Sequence, residues 1–153
     1  MSFPNVSADL IWEVTRSQNA FLVKRKTTGG LRFSRDPYNL ANVHSRKHAG
    51  FVNEKAVGVV PNEKGGVQVI TKKAGAGNKP LTGRYTVTYG GNKSARKTYK
   101  NIATQTAKSG YRADLRQTAV ARASAIRKSQ RPVKASPEKK QRGNAAKKAA
   151  AEN

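Results

Sequence analysis

His44 and His48 stand four residues apart, the spacing at which a helix would turn both imidazoles toward one metal ion. The residues between them, Ser45, Arg46 and Lys47, place two cations beside any such ion, and no nearby carboxylate or thiolate completes a ligand set. Two neutral imidazoles near phosphate or solvent are the expectation, and no metal site. Cysteine is absent, which removes disulfides, thiolate metal sites and cysteine nucleophiles. No serine is framed as Gly-x-Ser-x-Gly, the turn that exposes a hydrolase nucleophile. Gly29-Gly30 and Gly75-Ala76-Gly77-Asn78-Lys79 lack the Gly-Lys-Ser/Thr closure of a phosphate loop and read as flexible backbone. The eight acidic residues are scattered, with Asp9 and Glu13 decorating one short segment. Neither enzymatic chemistry nor a cofactor is expected.

The chemistry that this composition does support is polyanion binding. Thirty-one Lys and Arg against eight Asp and Glu give a formal net charge of +23. Like charges oppose compaction, so the excess implies an anionic partner that compensates it. The excess is uneven: residues 1–90 carry 14 basic and 5 acidic side chains, residues 91–153 carry 17 and 3. The candidate phosphate contacts are Lys24, Arg25, Lys26, Arg46, Lys47, Lys72, Lys73, Arg96, Lys97, Arg112, Arg116, Arg122 and Arg127, followed by Lys139, Lys140, Arg142, Lys147 and Lys148 as an arm. Arginine suits this role because its planar guanidinium makes paired hydrogen bonds to phosphate oxygens and stacks on bases. Tyr85, Tyr89, Tyr99 and Tyr111 lie among the cations, and exposed members would stack on unpaired RNA bases. Tyr99, on an apolar helix face, and the trio Tyr85, Val87 and Tyr89, on one strand face, are instead expected in the core.

These side chains need a scaffold. Ser7-Ala8-Asp9 before Leu10, Ile11, Trp12 and Val14 predicts a short helix capped by Ser7, with Trp12 packed against the sheet. Ala20–Val23 is a strand candidate running into Lys24-Arg25-Lys26. Residues 31–55, punctuated by Pro37 and Gly50, show weak periodicity and read as a long ordered loop. The β-branched runs 56–60 and 67–71, joined by Pro61–Gly66, predict a hairpin, and the alternation over 84–89 predicts a further strand. From Asn92 the period becomes helical, with Ala95, Tyr99, Ile102, Ala103 and Thr106 on the inner face and Gly110 as a left-handed cap. A second helix buries Leu115, Ala119, Val120, Ala123 and Ile126 and stops at Pro132. The chain therefore divides into a compact RNA-binding domain over 1–131 and a basic low-complexity tail over 132–153, whose composition does not support independent folding. The fold class is α+β: a small antiparallel β-sheet with an N-terminal helix, two C-terminal basic helices and a flexible basic tail. No apolar run approaches the roughly 20 residues of a membrane span, the tail lacks the large apolar residues of an interfacial helix, and no signal peptide is evident.

The second helix and its exit read Tyr111-Arg112-Ala113-Asp114-Leu115-Arg116, Arg122-Ala123-Ser124-Ala125-Ile126 and Ser129-Gln130-Arg131-Pro132-Val133. Upstream stand Phe21-Leu22-Val23-Lys24-Arg25, Asp36-Pro37-Tyr38-Asn39-Leu40, Val57-Gly58-Val59 and Asn92-Lys93-Ser94-Ala95-Arg96. In this order, over roughly residues 7–133, the blocks resemble the eukaryotic large-subunit ribosomal protein family numbered twenty-eight (L28e-like). Met1–Val6 looks like an extension, and the tail after Val133 is matched in composition only. The resemblance implies an α+β fold with a small antiparallel sheet, a structural role in the cytosolic large ribosomal subunit, and no catalytic site. The expected partners are large-subunit ribosomal RNA and neighbouring ribosomal proteins, with one copy per ribosome and no membrane or small-molecule substrate. The expected location is the cytoplasmic ribosome, reached through assembly in the nucleolus. The alternative is a nucleolar large-subunit assembly factor of the Mak-sixteen type, which carries a related domain followed by a long acidic extension that this sequence lacks.

Overall fold

A computed structural model describes residues 5–27, 29–76, 79–137 and 142–151. The chain opens with helix α1 (Ala8–Thr15), where the Ser7 hydroxyl accepts from the Leu10 amide at 3.2 Å as an N-cap and Asp9 sits in the first turn. Strands β1 (Leu22–Lys24) and β2 (Arg32–Ser34) form an antiparallel two-stranded sheet in the register Val23 to Phe33. Strands β3 (Val57–Pro61), β4 (Gly66–Lys72) and β5 (Arg84–Gly90) form a second, antiparallel sheet in the order β3-β4-β5. Helix α2 (Ala95–Ala103) runs into a π-helical turn, Thr104–Lys108, and then a 3-10 turn, Ala113–Leu115, leads into helix α3 (Arg116–Ser129). Gly110 ends the first of these helical stretches at φ +64°, the left-handed value that glycine adopts without a Cβ penalty. Helix α4 (Asn144–Ala151) lies within the tail, where an Ala- and Lys-rich run has high intrinsic helix propensity.

One row of the larger sheet is the core. Val59 and Val69 lie opposite each other on β3 and β4, flanked by Val57 and Val67, with Val87 of β5 in the same row outside the buried cluster. Ile102 of α2, Leu115 of the 3-10 turn and Ala119 and Ala123 of α3 cover this face. Small alanines on α3 let its backbone approach the sheet closely, which suits a chain with few large apolar residues. The cover stops short of β5. Tyr89 is buried, but Tyr85, on the same strand face, is 60% exposed, and Val87 is 38% exposed. The expected core trio is therefore a single core tyrosine, because alternation assigns a face and not the reach of the helices above it. At the C-terminal end of α3, Gln130 clasps the β3–β4 turn. Its side-chain amide donates to Gly66 O and accepts from Gly66 N, both at 2.8 Å.

The stretch 31–55 is more structured than a loop. Arg32–Ser34 pairs with β1, and Phe33 forms an isolated bridge to Val43. A three-residue strand with two exposed positions carries too little alternation to register in a sequence. Beyond it two Asx turns set the path. The Asp36 carboxylate accepts from the Tyr38 amide at 3.0 Å and the Phe51 amide at 2.9 Å, and Asn39 accepts from Ala41 N while donating to Val43 O. This loop lies against the outer face of β3: a Cβ on Gly58 would stand 2.4 Å from Pro37 O. Trp12 does not reach the sheet. Its ring packs on the His44 ring, with centroids 5.0 Å apart, and His44 Nε2–H donates to the Arg16 carbonyl at 2.8 Å. Helix α1 buries no residue fully and is fastened to the loop by side chains.

Candidate nucleic-acid interface

The cations divide into two populations that sequence alone does not separate. The first is consumed by the fold. Arg122 on α3 donates through Nε to Val59 O at 3.1 Å and through Nη1 to Leu40 O at 3.3 Å and Asn42 Oδ1 at 3.2 Å, tying the helix to β3 and to the preceding loop. Arg127 reaches back to the chain between β5 and α2, with Nη2 to Lys93 O at 2.9 Å and Gly91 O at 3.2 Å. Arg112 chelates Asp114 with two bonds of 2.8 Å and donates to Lys55 O at 2.8 Å. Arg46 bonds Asp9 through Nε and Nη2 and Asn53 through Nη1, so the loop holds α1. Lys72 places Nζ against Gly50 O at 2.6 Å and Asn53 O at 3.1 Å. Burial pulls the Lys72 ammonium below its ordinary range, and the Asp36 carboxylate pulls it back up.

Four of these side chains, Arg122, Arg127, Arg112 and Lys72, cap backbone carbonyls of strands and loops, and Arg46 instead joins the side chains of Asp9 and Asn53. A buried carbonyl without a hydrogen bond is costly, and a charged donor satisfies several at once. The guanidinium of Arg112 also holds the Asp114 carboxyl below its usual range, the hydrogen bond outweighing partial burial. Tyr111 belongs to the same framework. Its hydroxyl donates to Lys72 O at 2.6 Å and accepts from Ala56 N at 3.1 Å, which joins the start of β3 to the end of β4. With Tyr89 in the core and Tyr99 packed against it, Tyr85 is the member of the tyrosine set that faces solvent.

The second population is exposed. Lys24, Arg25 and Lys26 project from the β1–β2 hairpin, and the register places Arg32 directly opposite Lys24. Arg32 was missed by sequence reasoning because its strand was; the short run Arg32-Phe33-Ser34 is the signal that was available. A second exposed group lies along the two helices, with Arg96 and Lys97 at the start of α2 and Arg116 at the start of α3. Between these helices runs a groove floored by Ala103, Ala107 and Val120 and edged by Lys100, Lys108 and Arg116. Its lining contains no acidic residue. Lys100 and Lys108 were not among the expected contacts, although their spacing from Lys97 along the helix points to one shared edge. Lys47 is exposed near the loop cations, and Lys73 lies over the Tyr85 ring at 4.5 Å. Arg142, Lys147 and Lys148 are exposed on and before α4, while Lys139 and Lys140 lie outside the described residues.

Among the described residues no cluster of three His, Asp or Glu side chains is arranged for a metal ion, and no helix is long and apolar enough to cross a membrane. His48 hydrogen-bonds Ser45 Oγ through Nδ1 at 2.9 Å, and burial with neighbouring Lys47 and Arg112 pushes its pKa down, toward the neutral ring.

Comparison with known sequences agrees with the resemblance noted above. The model of the Ribosomal L28e protein family matches residues 10–129. The chain is 45% identical over 130 residues to the large ribosomal subunit protein eL28 of Schizosaccharomyces pombe, covering 85% of this chain and 97% of that protein. It is 30% identical over 142 residues to the protein of the same name from Dictyostelium discoideum, covering 91% of this chain and all of that one. Over a shorter span of 74 residues it is 43% identical to the Trypanosoma cruzi protein of that name.

Proposed function

The chain belongs to the Ribosomal L28e protein family, and from that membership we propose that it anchors large-subunit ribosomal RNA through the β1–β2 hairpin and the groove between α2 and α3. It is a structural constituent of the eukaryotic large ribosomal subunit and not an enzyme. The observation that carries the RNA reading is the division of the cations. Fold-forming arginines are satisfied inside the scaffold, and two solvent-facing sets, on the hairpin and along α2 and α3, have no internal partners among the described residues. Lys24, Arg25, Lys26 and Arg32 form one set; Arg96, Lys97, Lys100, Lys108 and Arg116 form the other.

Such sets act by neutralising phosphates and releasing condensed counterions, while the rigid core fixes where the charges point. Arg46, Lys72, Arg112, Arg122 and Arg127 serve the RNA indirectly, by holding the elements that carry the exposed cations. Lys47, Lys73, Arg142, Lys147 and Lys148 extend the contact, as do Lys139 and Lys140. The compact part through residue 131 works as the anchored body, and the tail from 132 follows RNA or neighbouring proteins. The protein joins the particle during nucleolar assembly and remains in the cytoplasmic ribosome as one copy. Gradient fractionation tests this directly: the chain should co-sediment with translating polysomes, and restriction to precursor particles would assign it to assembly alone.

A further inference from the structure

On the outer side of the larger sheet lies a cavity of about 720 Å³, on the opposite face from α2 and α3. Its walls are Phe21, Phe51 and Tyr38, with Ile11 of α1 and Ile70 of β4 behind them. Phe21 and Phe51 are themselves paired, with ring centroids 5.6 Å apart. Polar groups at this wall are few. The Asp36 carboxylate is occupied by backbone amides, the Lys72 ammonium by carbonyls, and the Tyr38 hydroxyl makes no hydrogen bond among the described residues. The mouth is cationic: Lys73, Lys79 and Arg84 stand there, and no ion pair engages them among the described residues. Glu54 is the one exposed acid of the lining.

We propose that this cavity receives a single unstacked base of ribosomal RNA, packed against the aromatic wall while Lys79 and Arg84 engage its flanking phosphates. The inference rests on the RNA-anchoring reading above and adds a second mode to it. The hairpin and helix groove present charge over shallow surfaces, which suits backbone contact. The cavity instead combines aromatic faces, one free hydroxyl and a cationic entrance, the combination that a nucleotide satisfies with base, base edge and phosphate respectively. Its volume falls within the roughly 300–1,000 Å³ of pockets that enclose small ligands. An apolar peptide would find the aromatic walls equally congenial, but it would leave the cations at the mouth uncompensated unless it were also acidic. Asp36-Pro37-Tyr38 and Gly50-Phe51 are drawn together by the Asp36 carboxylate, which brings both aromatic residues into the lining that Ile70 shares.

Ultraviolet cross-linking of intact large subunits containing the chain, followed by mass spectrometry, should yield a nucleotide adduct on the peptides bearing Phe21, Tyr38 or Phe51. Adducts confined to the hairpin and to α2 and α3 would overturn the cavity proposal and leave RNA anchoring standing. An absence of adducts anywhere on the chain would overturn both. Chemical cross-links from Lys79 to carboxylates of a neighbouring protein, with the three aromatic peptides free of nucleotide, would assign the cavity to a peptide. A second measurement uses the purified full-length chain, with hexauridine and an abasic hexamer of equal charge as probes. Stacking of one base predicts about tenfold tighter binding of hexauridine, and K79E/R84E should weaken both probes. Equal affinity of the wild-type protein for the two probes would sink the proposal.

Discussion

Exchanging Lys100, Lys108 and Arg116 together for alanine separates the two cation populations most cleanly from Arg122→Ala. The three groove residues edge a surface and hold no internal ion pair or side-chain hydrogen bond among the described residues, so their loss leaves the scaffold intact. Each phosphate contact contributes about 0.7–0.9 to the slope of log Kobs against log salt, so the triple variant should bind structured ribosomal RNA with a slope shallower by about 2. Arg122 behaves oppositely. Its removal strips donors from the carbonyls of the buried residues Val59 and Leu40, which the partly exposed Arg122 side chain reaches. Hydrogen bonds from charged groups are worth about 1.5–3 kcal/mol each, discounted here for partial solvent access, giving a loss of about 2 kcal/mol. For a chain of this size that lowers Tm by about 4–8 °C. Fluorescence anisotropy across a salt series and differential scanning calorimetry read the two quantities independently. A slope change on Arg122→Ala equal to that of the triple variant, with Tm unmoved, would refute the division, as would a triple variant whose slope matches wild type.

Arg112 and Arg116, four residues apart, should split in the same way: R116A reduces the salt slope, whereas R112A lowers Tm and leaves the slope nearly unchanged. Gly66 sits at φ +90°, and an added Cβ would stand 2.1 Å from Tyr89 O, so G66A should cost at least about 3 kcal/mol by denaturant unfolding. The depressed Asp114 pKa carries a definite sign. The folded state holds that carboxylate ionised more readily than the unfolded chain, so its stabilisation is present above the unfolded value near 3.8 and disappears as pH falls through the lower folded value. Accordingly D114N should show a smaller loss of Tm than wild type when pH is taken from neutral to below 3.8. Removing the Gln130 amide with Q130A, which leaves the Gly66 amide without its acceptor and Gly66 O with the Asn62 amide alone, should lower stability by about 1 kcal/mol without altering the salt slope.

The parts of the molecule that announce themselves in sequence are those whose pattern is long and one-sided. The paired runs around Val59 and Val69, the strand over 84–89 and the Leu115–Ile126 stripe each repeat over several positions, and each becomes the element expected. Elements built by a few hydrogen bonds stay hidden. Arg32–Ser34 is a strand because β1 lies beside it, and the loop that follows, expected to be ordered, takes its particular path because Asp36 reaches an amide fifteen residues away. Trp12 illustrates the same limit, since an apolar ring on a helix declares that it will pack but does not say on what. The proposed interface was legible as a quantity of charge and not as a surface. Nothing in the residue type distinguishes Arg122, bonded to strand and loop carbonyls, from Arg116, open to solvent six positions earlier, because the acceptors that claim the first come from distant parts of the chain.

The Gln130 clasp has a mechanical consequence. Because one side-chain amide holds both the donor and the acceptor of Gly66, the final turn of α3 cannot fray without also loosening the β3–β4 turn. The residues that follow, Arg131 and Pro132, thus leave the body from a fixed root instead of from a fraying helix end. A tether with a fixed root searches a defined hemisphere, its radius growing by at most about 3.5 Å per residue. Loosening the clasp would blur where the basic arm begins, lowering its effective concentration at any one docking point while every cation in it stayed unchanged.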